Sequence, residues 1–208
     1  QVNYNHHLKS GTTMLNIINE DVVFHVSDNH DVDIVKFDDI EILVVDNFYK
    51  NPHLVRKLAF DIPATNFTNR GGYPAAQINV SYNMRPVVET YRYYIQKYFP
   101  NCLSDEYITG IMSQASFMVN VMQSDGNEYL PPHTDCPSFN NLASGIYLNS
   151  PEECSGGTSF FKDDEYLGCV DMKYNRMIIY HQNVQHTARM EFNSFVGNTY
   201  RINQMFFI

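Results

Sequence analysis

His133 and Asp135 stand two apart in the stretch Pro131-Pro132-His133-Thr134-Asp135-Cys136-Pro137. Along an extended strand, residues i and i+2 share a face. A short strand here can therefore offer an imidazole and a carboxylate to one point in space. Proline on both sides suits a short strand between turns, because proline cannot donate to a ladder. A second histidine brought alongside completes a two-histidine, one-carboxylate set, which covers one face of an octahedral metal and leaves the other positions open. The spacing alone is weak. With 8 histidines in 208 residues, chance supplies about 0.5 His-x-Asp matches, and a turn-capping aspartate beside a half-buried histidine is the plain alternative.

The second half of the chain reads as the strands that would deliver the missing ligand. Ser116–Gln123, His133–Cys136, Gly145–Asn149, Ser155–Phe161, Arg176–Tyr180, His186–Met190 and Thr199–Ile208 are short apolar runs, separated by turn signals such as Asp125-Gly126, Ser150-Pro151 and Gly197-Asn198. Many short strands at regular spacing imply a sandwich or barrel. The first half is mixed. Val22–Val26 and Ile40–Val45 read as strands, joined through an acidic, turn-like linker (Ser27–Asp33) that lacks a calcium-hand pattern. Asn51-Pro52 is a helix start, with Leu54, Val55 and Leu58 on one face. Pro86–Phe99 is a second helix, whose Val87, Tyr91, Tyr94, Ile95 and Tyr98 form a packing stripe. Arg70–Pro74 is a loop full of breakers. Residues 1–13, including His6 and His7, read as a loose or expression-derived terminus outside the fold.

Composition narrows the function classes. A net charge of −9 argues against a nucleic-acid groove, which needs a basic stripe. No apolar run reaches the roughly 18 residues of a membrane span, and no apolar leader is read near the start. Cys102, Cys136, Cys154 and Cys169 show no CxxC spacing, so free thiols and a cytoplasmic setting are expected rather than a cysteine zinc site.

In order and spacing, the second half resembles the double-stranded β-helix of the Fe(II)/2-oxoglutarate-dependent dioxygenases, nearest the prolyl-hydroxylase-like branch. His133-Thr134-Asp135 is similar to the family's HxD, and Tyr147-Leu148-Asn149 to its YLN strand. Gly156-Gly157-Thr158-Ser159-Phe160 resembles its GGxTxF strand with one residue fewer before the threonine. Arg176–Tyr180 is similar to the apolar strand before the distal histidine. His186 follows Asp135 by 51 residues, and Arg201 follows His186 by 15. The resemblance implies a mainly β fold with flanking helices. Residues 14–208 would form a single oxygenase domain, with 14–110 an N-terminal α/β support and 111–208 a jelly-roll or cupin-like core.

The same resemblance implies His133, Asp135 and His186 as Fe(II) ligands and Arg201 as the grip on 2-oxoglutarate, whose distal carboxylate fits a guanidinium fork. The reaction would be hydroxylation of a primary substrate by dioxygen, with release of succinate and CO2. Retention of Asp135 favours this outcome over halogenation. A structural salt bridge is the alternative for Arg201, and Arg189 is its rival. His181 competes with His186 and reads better as a loop histidine. Asn120 and Gln123 either contact the cosubstrate or are edge-strand amides. The chain departs from the prolyl hydroxylases at Met122-Gln123-Ser124, where they carry a tyrosine. Cys136 reads as a small filler. The family chooses its primary substrate with loops, here Asp61–Gln77, and these name no ligand. Two other readings stay open: a cupin-like module that holds metal without turnover, and a non-catalytic jelly-roll interaction domain. A nucleobase demethylase is disfavoured by the acidic balance.

Overall fold

A computed structural model describes residues 18–61, 67–69, 75–102, 116–122, 131–136, 141–153, 155–189 and 201–207. The first element is a short helix, α1 (Glu20–Val23), where a strand is expected from Val22-Val23-Phe24. Asn19 reverses that expectation locally: its side-chain oxygen accepts from the Val22 amide at 3.3 Å and caps the helix. Only Val26 keeps strand character, as an isolated bridge to Tyr49. The acidic linker is likewise shorter than expected, since Asp31 already opens β1 (Asp31–Phe37). Polar residues sit there because β1 is an edge strand, paired with β2 (Ile40–Asp46) on one side and exposed along most of its length.

Helix α2 (Pro52–Asp61) precedes β3 (Phe67–Asn69) and β4 (Ala75–Ser81). This antiparallel pair occupies part of the segment expected to be loop, while Arg70–Pro74 lies outside the described residues. Then come α3 (Arg85–Tyr98), β5 (Ser116–Met122), β6 (Leu142–Tyr147), β7 (Gly157–Lys162), β8 (Glu165–Asp171), β9 (Met177–His181), β10 (Gln185–Arg189) and β11 (Arg201–Phe207). The turns at Asp125-Gly126 and Gly197-Asn198 fall outside the described residues.

The strands form two antiparallel sheets. The large one runs β1-β2-β9-β6-β11-β5-β4-β3 and the small one β10-β7-β8. Together they make a double-stranded β-helix. Along β2, β6 and β9 both faces of the large sheet are covered, and the sequence shows it as period-two sorting within buried strands. On β2, Leu43 and Val45 face the helices with Val55, Tyr91 and Ile95, while Ile42 and Val44 face the small sheet with Phe160 and Val170. On β9, Met177 and Ile179 take the helical side, and Ile178 and Tyr180 the inner side.

Strand β8 carries no clear sequence signal because Gly168 interrupts it. A Cβ there would meet the Phe37 ring at 2.2 Å, so the glycine is what lets β1 close over β8. The β7–β8 turn uses Asp163 and Asp164, both at positive φ, as a two-residue hairpin needs. Lys162 binds Asp38 at 2.8 Å and Asp39 at 2.9 Å, tying the end of β7 to the β1–β2 turn.

Candidate metal centre

His186 lies in β10, opposite Phe160 of β7. On its other side stands His133, joined by a reciprocal backbone pair: the His133 amide donates to the His186 carbonyl at 3.0 Å, and the His186 amide returns the bond at 2.9 Å. The expected strand His133–Cys136 is therefore reduced to a single bridge. Past it, the Asp135 and Cys136 amides both donate to the Gln182 carbonyl, at 3.0 and 3.3 Å. Those four bonds bend the segment so that the Asp135 carboxylate turns back toward the two imidazoles.

The three side chains converge. His186 Nε2 is 3.4 Å from Asp135 Oδ2, and His133 Nε2 is 3.9 Å from Asp135 Oδ1. One ligand atom from each lies within 4.8 Å of the others, and among the described residues this is the one such group of histidine, cysteine and acidic side chains. Ligands at right angles about 2.1 Å from a common ion would stand about 3 Å apart, so a small inward movement suffices to hold one.

The tautomers are set for that purpose. His133 Nδ1 lies 3.2 Å from the Pro131 carbonyl, and His186 Nδ1 lies 2.9 Å from the Val184 carbonyl. A carbonyl only accepts, so each Nδ1 carries the proton and each Nε2 keeps its lone pair for the centre. In both cases the acceptor is two residues upstream. Burial holds His186 below the ordinary histidine value, with the Asp135 charge opposing. A neutral imidazole is the ligating form.

The ligands differ in exposure: 8% for the His186 side chain, 18% for Asp135 and 38% for His133. The His186 ring is packed by Tyr180, whose ring stands at 4.8 Å and 63°, and by His133 at 4.8 Å.

Arg201 opens β11 on its inner face and is 2% exposed. Its Nη2 donates to the Gly157 carbonyl at 2.8 Å and its Nη1 to the Arg189 carbonyl at 3.4 Å. The Asn203 amide oxygen, turned toward Nε, stands 3.2 Å from it. The guanidinium carbon lies 5.7 Å from the centre of the Tyr147 ring, and the Tyr147 hydroxyl is 2.7 Å from Thr158 Oγ1. Among the described residues no carboxylate lies within ion-pair distance of Arg201. Three of its five N–H donors thus meet uncharged partners, and a buried cation so placed is suited to an anion.

The rivals take other places. Arg189 pairs with Asp171 at 3.1 Å and is half-exposed. His181 is the last residue of β9 rather than a loop residue, and it packs on Phe99 and Cys102, on the helical side. The Cys136 thiol accepts from Asn141 Nδ2 at 3.3 Å and stays outside the ligand group. Asn120 pairs in register with Asn203, while Gln123 lies outside the described residues. Sequence reasoning missed Tyr180, Tyr147 and Thr158 as neighbours of the two sites. The signal was present for Tyr147 and Thr158, which lie within motifs already singled out.

By sequence, residues 28–166 match the model of a family described as "Family of unknown function (DUF6445)". No curated protein matches the chain. Among solved structures, OsALKBH1 is similar at 11% identity and a TM-score of 0.50, covering 85% of this chain and 99% of that one. A Pseudomonas putida prolyl-4-hydroxylase is similar at 15% identity and TM-score 0.47, over 74% of this chain and 84% of that one. SnoK, a non-heme alpha ketoglutarate dependent carbocyclase from nogalamycin biosynthesis, gives 10% identity and TM-score 0.48, over 80% and 78%. The likeness to OsALKBH1 is one of fold. No helix among the described residues is long and apolar enough to cross a membrane.

Proposed function

The chain belongs to the DUF6445 family, a family of unknown function, and for this member we propose an Fe(II)- and 2-oxoglutarate-dependent oxygenase that hydroxylates a C–H bond. One observation carries the reading: two imidazoles with Nε2 turned inward and one carboxylate share a single centre. Three donors on one face leave room for a bidentate cosubstrate and dioxygen. We assign His133, Asp135 and His186 as the iron ligands.

Arg201 would take the distal carboxylate of 2-oxoglutarate. Its guanidinium is held over the Tyr147 ring and clipped to the Gly157 carbonyl, so little freedom remains to be lost on binding. The Tyr147–Thr158 hydroxyl pair stands at the same end of the inner face. When bound, iron and 2-oxoglutarate supply dioxygen activation coupled to decarboxylation, giving succinate and CO2. The protein's own part is to aim both imidazoles through their Nδ1 hydrogen bonds, and to keep water from the buried side with Tyr180 and Phe160. The primary substrate class is a small molecule, amino acid or protein side chain. Residues 14–208 act as one domain in this reading, which the pairing of β2 with β9 supports. The free thiols of Cys102, Cys136 and Cys169 suit the reducing cytoplasm.

The test is anaerobic. Protein loaded with Fe(II) receives 2-oxoglutarate, and the visible metal-to-ligand charge-transfer band of the chelate is recorded. The band is expected in the wild type and absent in His133→Ala. Iron binding without a band would favour a metal-holding module; no iron binding would favour an interaction domain.

A further inference from the structure

We infer that Tyr180 is the positioning residue for His186 and sets how tightly the centre holds its metal. The role rests on the ligand assignment proposed above. A histidine ring turns softly about its outer torsion, which has broad wells. A ligand that must aim one lone pair therefore needs the rotation closed. At His133 the segment is exposed, and among the described residues the hydrogen bond that fixes the ring is the one to the Pro131 carbonyl, with the Asp135 carboxylate farther off at 3.9 Å. At His186 the Val184 carbonyl is joined by a wall of rings.

The wall is built across two sheets. His133, His186, Phe160 and Gly168 follow one another as cross-strand neighbours, from the bridge through β10 and β7 to β8. Tyr180 projects onto this row from β9 in the opposite sheet. Its ring stands edge-on to His186 at 4.8 Å and edge-on to Phe160 at 5.1 Å. Phe37 backs Phe160 from β1 at 6.0 Å, over the bare Cα of Gly168. Tyr180 and Phe160 are both buried. Turning the His186 ring would drive it into Tyr180, which Phe160 and Phe37 prevent from retreating, because close-packed interiors transmit such displacement. The Val184 hydrogen bond chooses the tautomer; the Tyr180 edge chooses the ring angle.

The experiment titrates Co(II) into the full chain without oxygen and follows its visible d–d absorption, which reports ligand geometry. The proteins are wild type, Tyr180→Phe, Tyr180→Leu, Tyr91→Leu and His186→Ala. Tyr180→Phe keeps the ring and should bind within about twofold of wild type with an unchanged band. Tyr180→Leu should bind about tenfold more weakly, the scale for losing a group that orients a ligand, with an altered band. Tyr91→Leu removes an equally buried tyrosine from the helical-side core and should leave both unchanged. Should Tyr180→Leu fail to fold by circular dichroism, Tyr180→Met fills most of the volume without a ring and takes its place. Wild-type affinity and band in the ringless variant would overturn the role, and so would an equal loss in Tyr91→Leu. Undiminished Co(II) affinity in His186→Ala would overturn the ligand assignment itself, a separate failure.

Discussion

The two halves of the metal centre are built differently. His186 sits on the edge strand of the three-stranded sheet, paired with β7 along that strand, buried, with an aromatic wall on one side. His133 and Asp135 sit on a bent segment fastened by a few backbone bonds, with His133 more than a third exposed. Local stability follows buried contacts and protected hydrogen bonds. The first half is therefore a fixed wall and the second a hinged plate laid against it. The short motif that draws the eye in the sequence marks the plate, while the wall is assembled from β7, β9 and β10, whose contacts with one another no single stretch of sequence shows.

Truncating each side in turn breaks this comparison most severely. Asp135→Ala and His186→Ala should each weaken Co(II) or Fe(II) binding at least about a hundredfold, since a facial site cannot spare a ligand. They should part in stability. His186→Ala leaves a cavity between Tyr180 and His133 and should lower the thermal midpoint by several degrees, whereas Asp135→Ala should barely move it. Isothermal titration and thermal melts of the metal-free proteins read both effects, and equal midpoints would erase the distinction between wall and plate.

A smaller effect belongs to Arg201, on the wall side. Arg201→Ala should raise the 2-oxoglutarate dissociation constant about ten- to a hundredfold, the worth of one or two charge-assisted bonds, while Co(II) affinity holds. Arg189→Ala, which removes a half-exposed partner of Asp171, should leave the cosubstrate constant alone. The reverse result would move the anchor of the cosubstrate from Arg201 to Arg189, its neighbour at the same end of β10.

The finest probe is hydrogen exchange. Metal should slow exchange of the Asp135 and Cys136 amides about tenfold or more, because it clamps the plate, and should change the His186 amide little. Uniform protection would mean that the halves open together.

The sequence could show only what is local. Spacing placed His133 and Asp135 on one side of the chain, and the apolar runs in β6, β9 and β11 announced buried strands. A full strand over His133–Cys136 is too regular an expectation, since only one residue bridges and Asp135 lies in the bend that follows. The Val22–Val26 run satisfies a strand or a helix by composition alone, and the Asn19 cap tipped it to helix. β8 hid because Gly168 is explained by Phe37, more than a hundred positions upstream. The acidic start of β1 hid because an edge strand needs no apolar alternation. Tyr180 beside His186 could not be read at all: the contact needs the register of β10 on β7 and the stacking of one sheet on the other.

The pairing of β2 with β9 also governs how the chain assembles. Leu43 lies opposite Ile179, so the two strands are among the most distant partners in the molecule. On a ribosome, β2 emerges with both of its apolar faces uncovered and waits until β9 is made, most of the domain later. Contacts of such sequence separation slow folding, and unpaired apolar strands are what chaperones intercept. The early β1–β2 hairpin is thus the segment most exposed to misassembly, and its acidic outer strand keeps it apart from other copies while it waits.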